Sequence, residues 1–158
     1  GMTASLPVIE YAKELKSSDV ELYRALTLSN LVTIHQKTGI GRLSAFCGAV
    51  SAGAGAGAGI AYLMGGTFEE IAHTIVNALA IVSGIVCDGA KASCAAKIAS
   101  AVDAGILGYN MYKHGQQFYD GEGIVTKGIE ATIRNVGRLG KEGMKETNEE
   151  IIRIMVGN

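Results

Sequence analysis

The sequence predicts an all-α fold, a compact multi-helix domain that spans residues 1–158. Apolar residues recur at helical spacing in most segments, and three of these runs open with a capping box, in which a Ser or Thr is followed three residues later by Glu. The boxes begin at Ser18, Thr67 and Thr147. Strand patterns of period two, rich in β-branched and aromatic residues, are absent from the sequence. A chain of this length is one domain by size.

The first two helices are predicted from Pro7 and Ser18. Proline is tolerated in a first helical turn, so Pro7 predicts a helix over residues 8–16. The Ser18 box predicts a second helix that runs to about Lys37 and stops at Gly39. Apolar residues occupy more than one face of this second helix, which predicts burial on most of its sides.

The segment 43–64 alternates Gly and Ala over residues 52–59. A flexible linker, a silk-like strand and a tightly packed helix compete for it. Each Gly costs a helix interior about 1 kcal/mol relative to Ala, so four require about 4 kcal/mol of compensation. Close backbone approach to neighbouring helices supplies it, and the apolar flanks disfavour a linker. The sequence therefore predicts a buried Gly/Ala-rich central helix.

Four more helical segments follow. The box at Thr67 predicts a helix that ends near Gly84, and Asp88-Gly89 predicts a turn. The next helix is expected from about residue 90 to residue 112, which places Cys94 one turn inside it. After a loop over 113–123, an apolar stripe covers 125–136, and Thr147 is predicted to open a short terminal helix.

Charge and cysteine usage exclude several classes of partner. The net charge of -1 gives no electrostatic reason to expect nucleic acid or an anionic membrane. The uncharged run 71–87 falls short of the roughly 20 residues that span a bilayer and is read as a buried core helix. An odd number of cysteines, three, in an apolar chain without a signal peptide argues against a disulfide scaffold and for a cytoplasmic location.

All three cysteines lie in two short segments, 41–48 and 87–94, beside residues suited to a turn or a polar pocket. Three thiolates hold either a zinc ion or three corners of an iron–sulfur cluster, and both leave one coordination position open for a substrate. The spacing of Cys47, Cys87 and Cys94 is not specific, because free buried cysteine is common. A zinc-binding structural domain and a metal-free helical interaction module therefore stay open at this point.

The segments GRLSAFCG at 41–48, CDGAKASC at 87–94 and TASLPVIEYAKEL at 3–15 resemble the C-terminal half of the L-cysteine desulfidase family, relatives of the iron–sulfur L-serine dehydratase α chain. The similarity runs the whole length and includes DGEGIV at 120–125. The resemblance implies that Cys47, Cys87 and Cys94 bind a [4Fe–4S] cluster whose fourth iron is free to bind substrate.

The resemblance also implies a β-elimination, in which L-cysteine or L-serine loses its β-substituent and yields pyruvate and ammonia. Family enzymes carry a further N-terminal half with the proposed base cysteine, and this chain has no fourth cysteine. We therefore expect a cluster-binding domain that needs that N-terminal domain as partner and has little or no activity alone. A newly exposed domain face would also favour a homo-oligomer.

Roles for the polar neighbours follow from their places beside the ligands. Lys91 and Arg42 are candidates to hold a substrate carboxylate, or are simply surface or helix-end charges. Asp88 is first a turn or N-cap residue and second a catalytic candidate. Ser44 and Ser93 are candidates to donate hydrogen bonds to cluster sulfurs. The three histidines are read as packing or surface residues: His35, His73 and His114.

Overall fold

The computed structural model describes residues 1–157, which form seven α-helices and one π-helical turn. The helices are α1 (Met2–Glu14), α2 (Asp19–Ile40), α3 (Gly48–Leu63), α4 (Phe68–Val82), α5 (Cys94–Lys113), α6 (Ile129–Arg138) and α7 (Lys145–Val156), and the π-helical turn is Leu139–Gly143. The all-α prediction is confirmed. Among the described residues, no helix is both long and apolar enough to cross a bilayer.

Helix α3 is the centre of the fold, and it packs against α1, α2, α4 and α5. Every residue from Val50 to Ala61 is buried, as predicted. Two residues along a helix turn it by about 200°, so alternate glycines fall on nearly opposite faces. Gly53 and Gly57 meet α5, whereas Gly55 and Gly59 meet α2. The alternation thus lets two neighbours approach the α3 backbone from opposite sides.

Helix α2 is less buried than its sequence predicts. The capping box at Ser18 is present, but the helix continues three residues past Lys37 to Ile40 and is capped by Gly41. Its inward face is narrow and consists of Ala25, Ser29, Gln36 and Ile40. Its outward face carries four exposed apolar side chains: Val20, Tyr23, Leu31 and Ile34. The prediction of burial on most sides was wrong, because α1, α3 and α6 all pack on the inner side.

Helix α1 begins five residues before Pro7, so the prediction that Pro7 opens the helix was also wrong. Pro7 lies inside the helix and leaves the Thr3 carbonyl without its usual N–H partner. Burial of Ala4 and Val8 on either side of Pro7 offsets this cost, since both side chains are fully covered.

Two later boundaries differ from prediction. Helix α5 starts at Cys94 and not near residue 90, so Cys94 is its first residue. Helix α7 starts at Lys145 after a Met144 N-cap, and Thr147 lies within it without capping it. The π-helical turn carries the chain almost continuously from α6 into α7, which sets that start before the Thr147 box is reached.

Candidate functional site

One isolated antiparallel bridge, Phe46 with Val86, brings the two cysteine-bearing segments together. The Cys47 amide donates to the Ile85 carbonyl at 3.1 Å, and the Cys87 amide donates to the Ala45 carbonyl at 2.6 Å. Alternate residues of an extended segment point to the same side, so Cys47 and Cys87 project from the same face of the bridge. As diagonal neighbours, their Cα atoms are roughly 7–8 Å apart.

The three thiols occupy one end of the bundle but differ in exposure. Cys47 is buried at the N-cap of α3, Cys94 is half-buried at the first position of α5, and Cys87 is exposed. All three are free thiols.

The turn between Cys87 and Cys94 is a close-fitting loop. Gly89 has φ of 91°, a conformation that side-chain-bearing residues rarely adopt. Its carbonyl accepts a 3.5 Å hydrogen bond from the Cys94 thiol. A Cβ at Gly89 would lie 2.9 Å from the Met155 methyl, so the Met155 side chain at the end of α7 lies against Gly89.

Two lysines hold Asp88 inside the same loop. Lys91 approaches one carboxylate oxygen at 2.7 Å and Lys97 the other at 2.5 Å. The hydrogen bond from Lys91, followed by that from Lys97, holds the pKa of Asp88 well below its ordinary range. The Asp88 side chain does not cap α5, whose N-cap is Ser93. Asp88 is therefore an ionised carboxylate that links Lys91 in the loop to Lys97 on α5.

Two of the cysteines also affect the pKa of Lys97. Its pKa is raised, first by the Asp88 hydrogen bond and then by the charges of Asp88, Cys47 and Cys94. Only about a quarter of its side chain is exposed. Sequence reasoning missed Lys97. The spacing in the sequence could have indicated it: Lys97 follows Cys94 by three residues, so the two side chains share one face of α5.

The other candidate residues have different surroundings. Ser44 donates its hydroxyl proton to the Gly140 carbonyl at 2.5 Å and accepts from the Phe46 amide at 2.9 Å, so it ties the Cys47 loop to the π-helical turn. Arg42 is exposed in the same loop. Ser93 is exposed, and its side chain makes no capping hydrogen bond.

The histidines have the packing and surface roles expected of them. His35 pairs with Glu130 at 2.9 Å on the surface, His73 stacks on Tyr112 with ring centres 4.4 Å apart, and the exposed His114 contacts the Asn110 carbonyl.

The donor set suits a soft metal centre, since thiolates are the ligands of iron–sulfur clusters and zinc. Within residues 1–157, no group of three or more His, Cys, Asp or Glu side chains is gathered closely enough to hold a single metal ion. The ligands of one ion converge on a single point, whereas those of a cluster bind different irons. What favours a cluster here is the chemistry of the donors, three free thiols at the same end of the bundle.

Comparison with known proteins gives the family. The sequence matches the serine dehydratase alpha chain family over residues 1–153. The chain belongs to this family. Within the serine dehydratase alpha chain family, the cysteine-bearing end described above is the natural candidate for a functional site, because it gathers all three thiols of the chain.

Several curated relatives are similar in sequence over nearly the whole length of this chain. They carry the name UPF0597 protein and include those of Desulfitobacterium hafniense, 75% identical, Lachnoclostridium phytofermentans, 61% identical, and Treponema denticola, 51% identical. Each similarity covers 99% of this chain but only 36–37% of the relative. The chain thus spans a little over a third of the length of these relatives. No solved structure matches it.

Proposed function

We propose that this chain is the cluster-binding part of an iron–sulfur-dependent lyase that acts on L-serine or L-cysteine. The observation that carries the proposal is the bridge between Phe46 and Val86, which puts Cys47 and Cys87 on one face at the end of the bundle where α5 begins with Cys94. Family membership supports the reaction class. The thiolates of Cys47, Cys87 and Cys94 would hold a [4Fe–4S] cluster, which supplies a Lewis-acidic iron with one open position.

The reaction is a β-elimination. The Cα–H bond and the bond from Cβ to oxygen or sulfur break, a Cα=Cβ bond forms, and the proton and leaving group depart as water or hydrogen sulfide. The aminoacrylate product tautomerises to an imine, which water hydrolyses to pyruvate and ammonia. We place the base that removes the α-proton outside this chain, in the part of the longer relatives that the chain does not cover.

Arg42 is the proposed substrate-carboxylate ligand. Its guanidinium is exposed in the loop that leads to Cys47, and this planar group binds a carboxylate through two parallel hydrogen bonds. Lys91 is already paired with Asp88, so it adds positive charge at longer range. An Arg42→Ala change in the complete enzyme is expected to raise KM more than it lowers kcat.

The serines take separate parts. Because Ser44 donates its only proton to the Gly140 carbonyl, we assign it to holding the Cys47 loop and not to the cluster. Ser93 is the proposed hydrogen-bond donor to a cluster sulfur, since its hydroxyl is exposed beside Cys94 and is not used in capping α5. Such a bond tunes the reduction potential of a cluster.

The test is iron and acid-labile sulfide content, with the visible spectrum, after reconstitution without oxygen. The proposal expects about four irons and four sulfides per chain. Cys47→Ser, Cys87→Ser and Cys94→Ser should each lower that content. Ser100→Ala, on the exposed side of α5, is the matched control and should not. Iron uptake that is absent, or unchanged in all three cysteine variants, would refute the proposal.

Substrate choice is tested on a full-length relative, such as the Desulfitobacterium hafniense protein. Pyruvate release from L-serine and L-cysteine gives two kcat/KM values, and their D-enantiomers serve as controls. The proposal expects cluster-dependent pyruvate from at least one L-amino acid. A loaded enzyme that releases none from either would overturn the lyase assignment while leaving the cluster intact.

A further inference from the structure

Lys97 is placed to control the geometry of the cysteine-bearing end. Its ammonium group donates to the Val86 carbonyl at 2.9 Å and to the Asp88 carboxylate at 2.5 Å. These two residues flank Cys87 on either side. One lysine of α5 is therefore hydrogen-bonded to the residue immediately before Cys87 and to the residue immediately after it.

Helix α5 also carries Cys94, one turn before Lys97. The hydrogen bonds of Lys97 therefore tie the segment around Cys87 to the helix that carries Cys94. Cys94 and Lys97 are three residues apart and share a helical face. Cys87 has little else to hold it: it is exposed, lies outside any helix, and its amide makes the single bond to the Ala45 carbonyl. Charge-assisted hydrogen bonds are about twice as strong as neutral ones.

We propose that Lys97 is a positioning residue, which holds Cys87 against α5 so that Cys87, Cys94 and Cys47 are presented together to one cluster. This inference rests on the proposed function for its purpose, but the contacts of Lys97 do not depend on it. Lys91 does not replace this role, since it bonds only Asp88 and lies within the loop itself.

The test compares Lys97→Met and Lys97→Arg in the whole chain. Lys113→Met is the matched control, because Lys113 also lies on α5 and pairs with a carboxylate, Glu70, at 2.8 Å. In the metal-free, reduced chain, hydrogen exchange of the Cys87 amide reports whether its bond to the Ala45 carbonyl stays closed. Iron content and visible absorption after anaerobic reconstitution report assembly.

Lys97→Met is expected to speed Cys87 exchange roughly tenfold, as the loss of charged hydrogen bonds implies, and to lower iron content by at least half. Lys97→Arg keeps a donor of the same charge and should restore both, and Lys113→Met should change neither. Exchange that is unaltered in Lys97→Met would overturn the positioning role, even if iron content falls.

The two proposals fail in different ways. A wild-type chain that takes up no iron refutes the cluster, and the exchange rate at Cys87 then still decides the role of Lys97. Full iron content in Lys97→Met, with a normal cluster spectrum, refutes the positioning role and leaves the cluster in place.

Discussion

The contact between α3 and α5 can be tested by adding one methyl group at Gly57. A Cβ at this position would lie 2.7 Å from the Gly105 Cα and 3.0 Å from its carbonyl carbon and oxygen. Ordinary van der Waals contact begins at 3.4 Å. Gly57→Ala therefore forces the two helices apart by about 0.7 Å.

Two opposing effects set the size of the change. Ala is favoured over Gly in a helix interior by about 1 kcal/mol. Overpacking costs about 1–3 kcal/mol, and the upper end applies here because all three nearest atoms belong to the Gly105 backbone, which no side-chain rotation can move. We expect a net loss of about 2 kcal/mol in the free energy of unfolding.

Urea unfolding followed by far-ultraviolet circular dichroism measures this loss. With a slope of about 2 kcal/mol per molar urea, the midpoint should fall by about 1 M at an unchanged slope. Gly48→Ala is the matched control, because Gly48 is the first residue of the same helix and a Cβ there meets nothing within 4 Å. This variant should be unchanged or more stable by at most about 1 kcal/mol.

The outcome that would refute the packing is equal stability of Gly57→Ala and Gly48→Ala. That result would mean that α3 and α5 do not meet backbone to backbone at Gly57. This holds whether both midpoints stay unchanged or both fall, since Gly48 lies outside the contact.

Three further outcomes are expected. Ser18→Ala and Thr67→Ala each remove a capping box and should cost about 1 kcal/mol in urea unfolding, and no loss would mean that the boxes do not cap. Asn77→Ala should cost about 2–3 kcal/mol, because Asn77 is fully buried and bonds both the Gly108 carbonyl and the Phe118 amide; if exposed Asn135→Ala costs as much, the argument fails. Since its lysine partners lower its pKa, the ionised carboxylate of Asp88 stabilises the fold fully above its ordinary pKa near 4, and this contribution is lost as pH falls through the lowered value. Carbon NMR titration that finds an ordinary pKa would contradict the paired geometry.

The fold class and the central helix were predictable because they depend on local chemistry. The side chains of Ser18 and Thr67 each accept a hydrogen bond from a backbone amide three residues later. Each cap therefore predicts the start of its helix from the local sequence alone. The glycine alternation over 52–59 also carried its own information, since only close backbone contact compensates four helical glycines.

Where local signals compete with packing, the predictions failed. Pro7 is read locally as a helix start, but burial of Ala4 and Val8 outweighs one lost hydrogen bond. Thr147 is read as an N-cap, yet the chain leaving the π-helical turn has its N-cap at Met144, three residues earlier. The local preference is worth about 3 kcal/mol at Pro7 and about 1 kcal/mol at Thr147, and tertiary contacts exceed both.

By itself the sequence determined the seven-helix content in outline, the buried role of α3 and the three thiols as the residues with chemistry to offer. Only the tertiary structure decided that a two-residue bridge joins segments forty residues apart, and that Lys97 holds the loop around Cys87. Helix caps and periodicity act over a few residues and are written in sequence order. Contacts between distant segments depend on how whole helices pack, which no local pattern records.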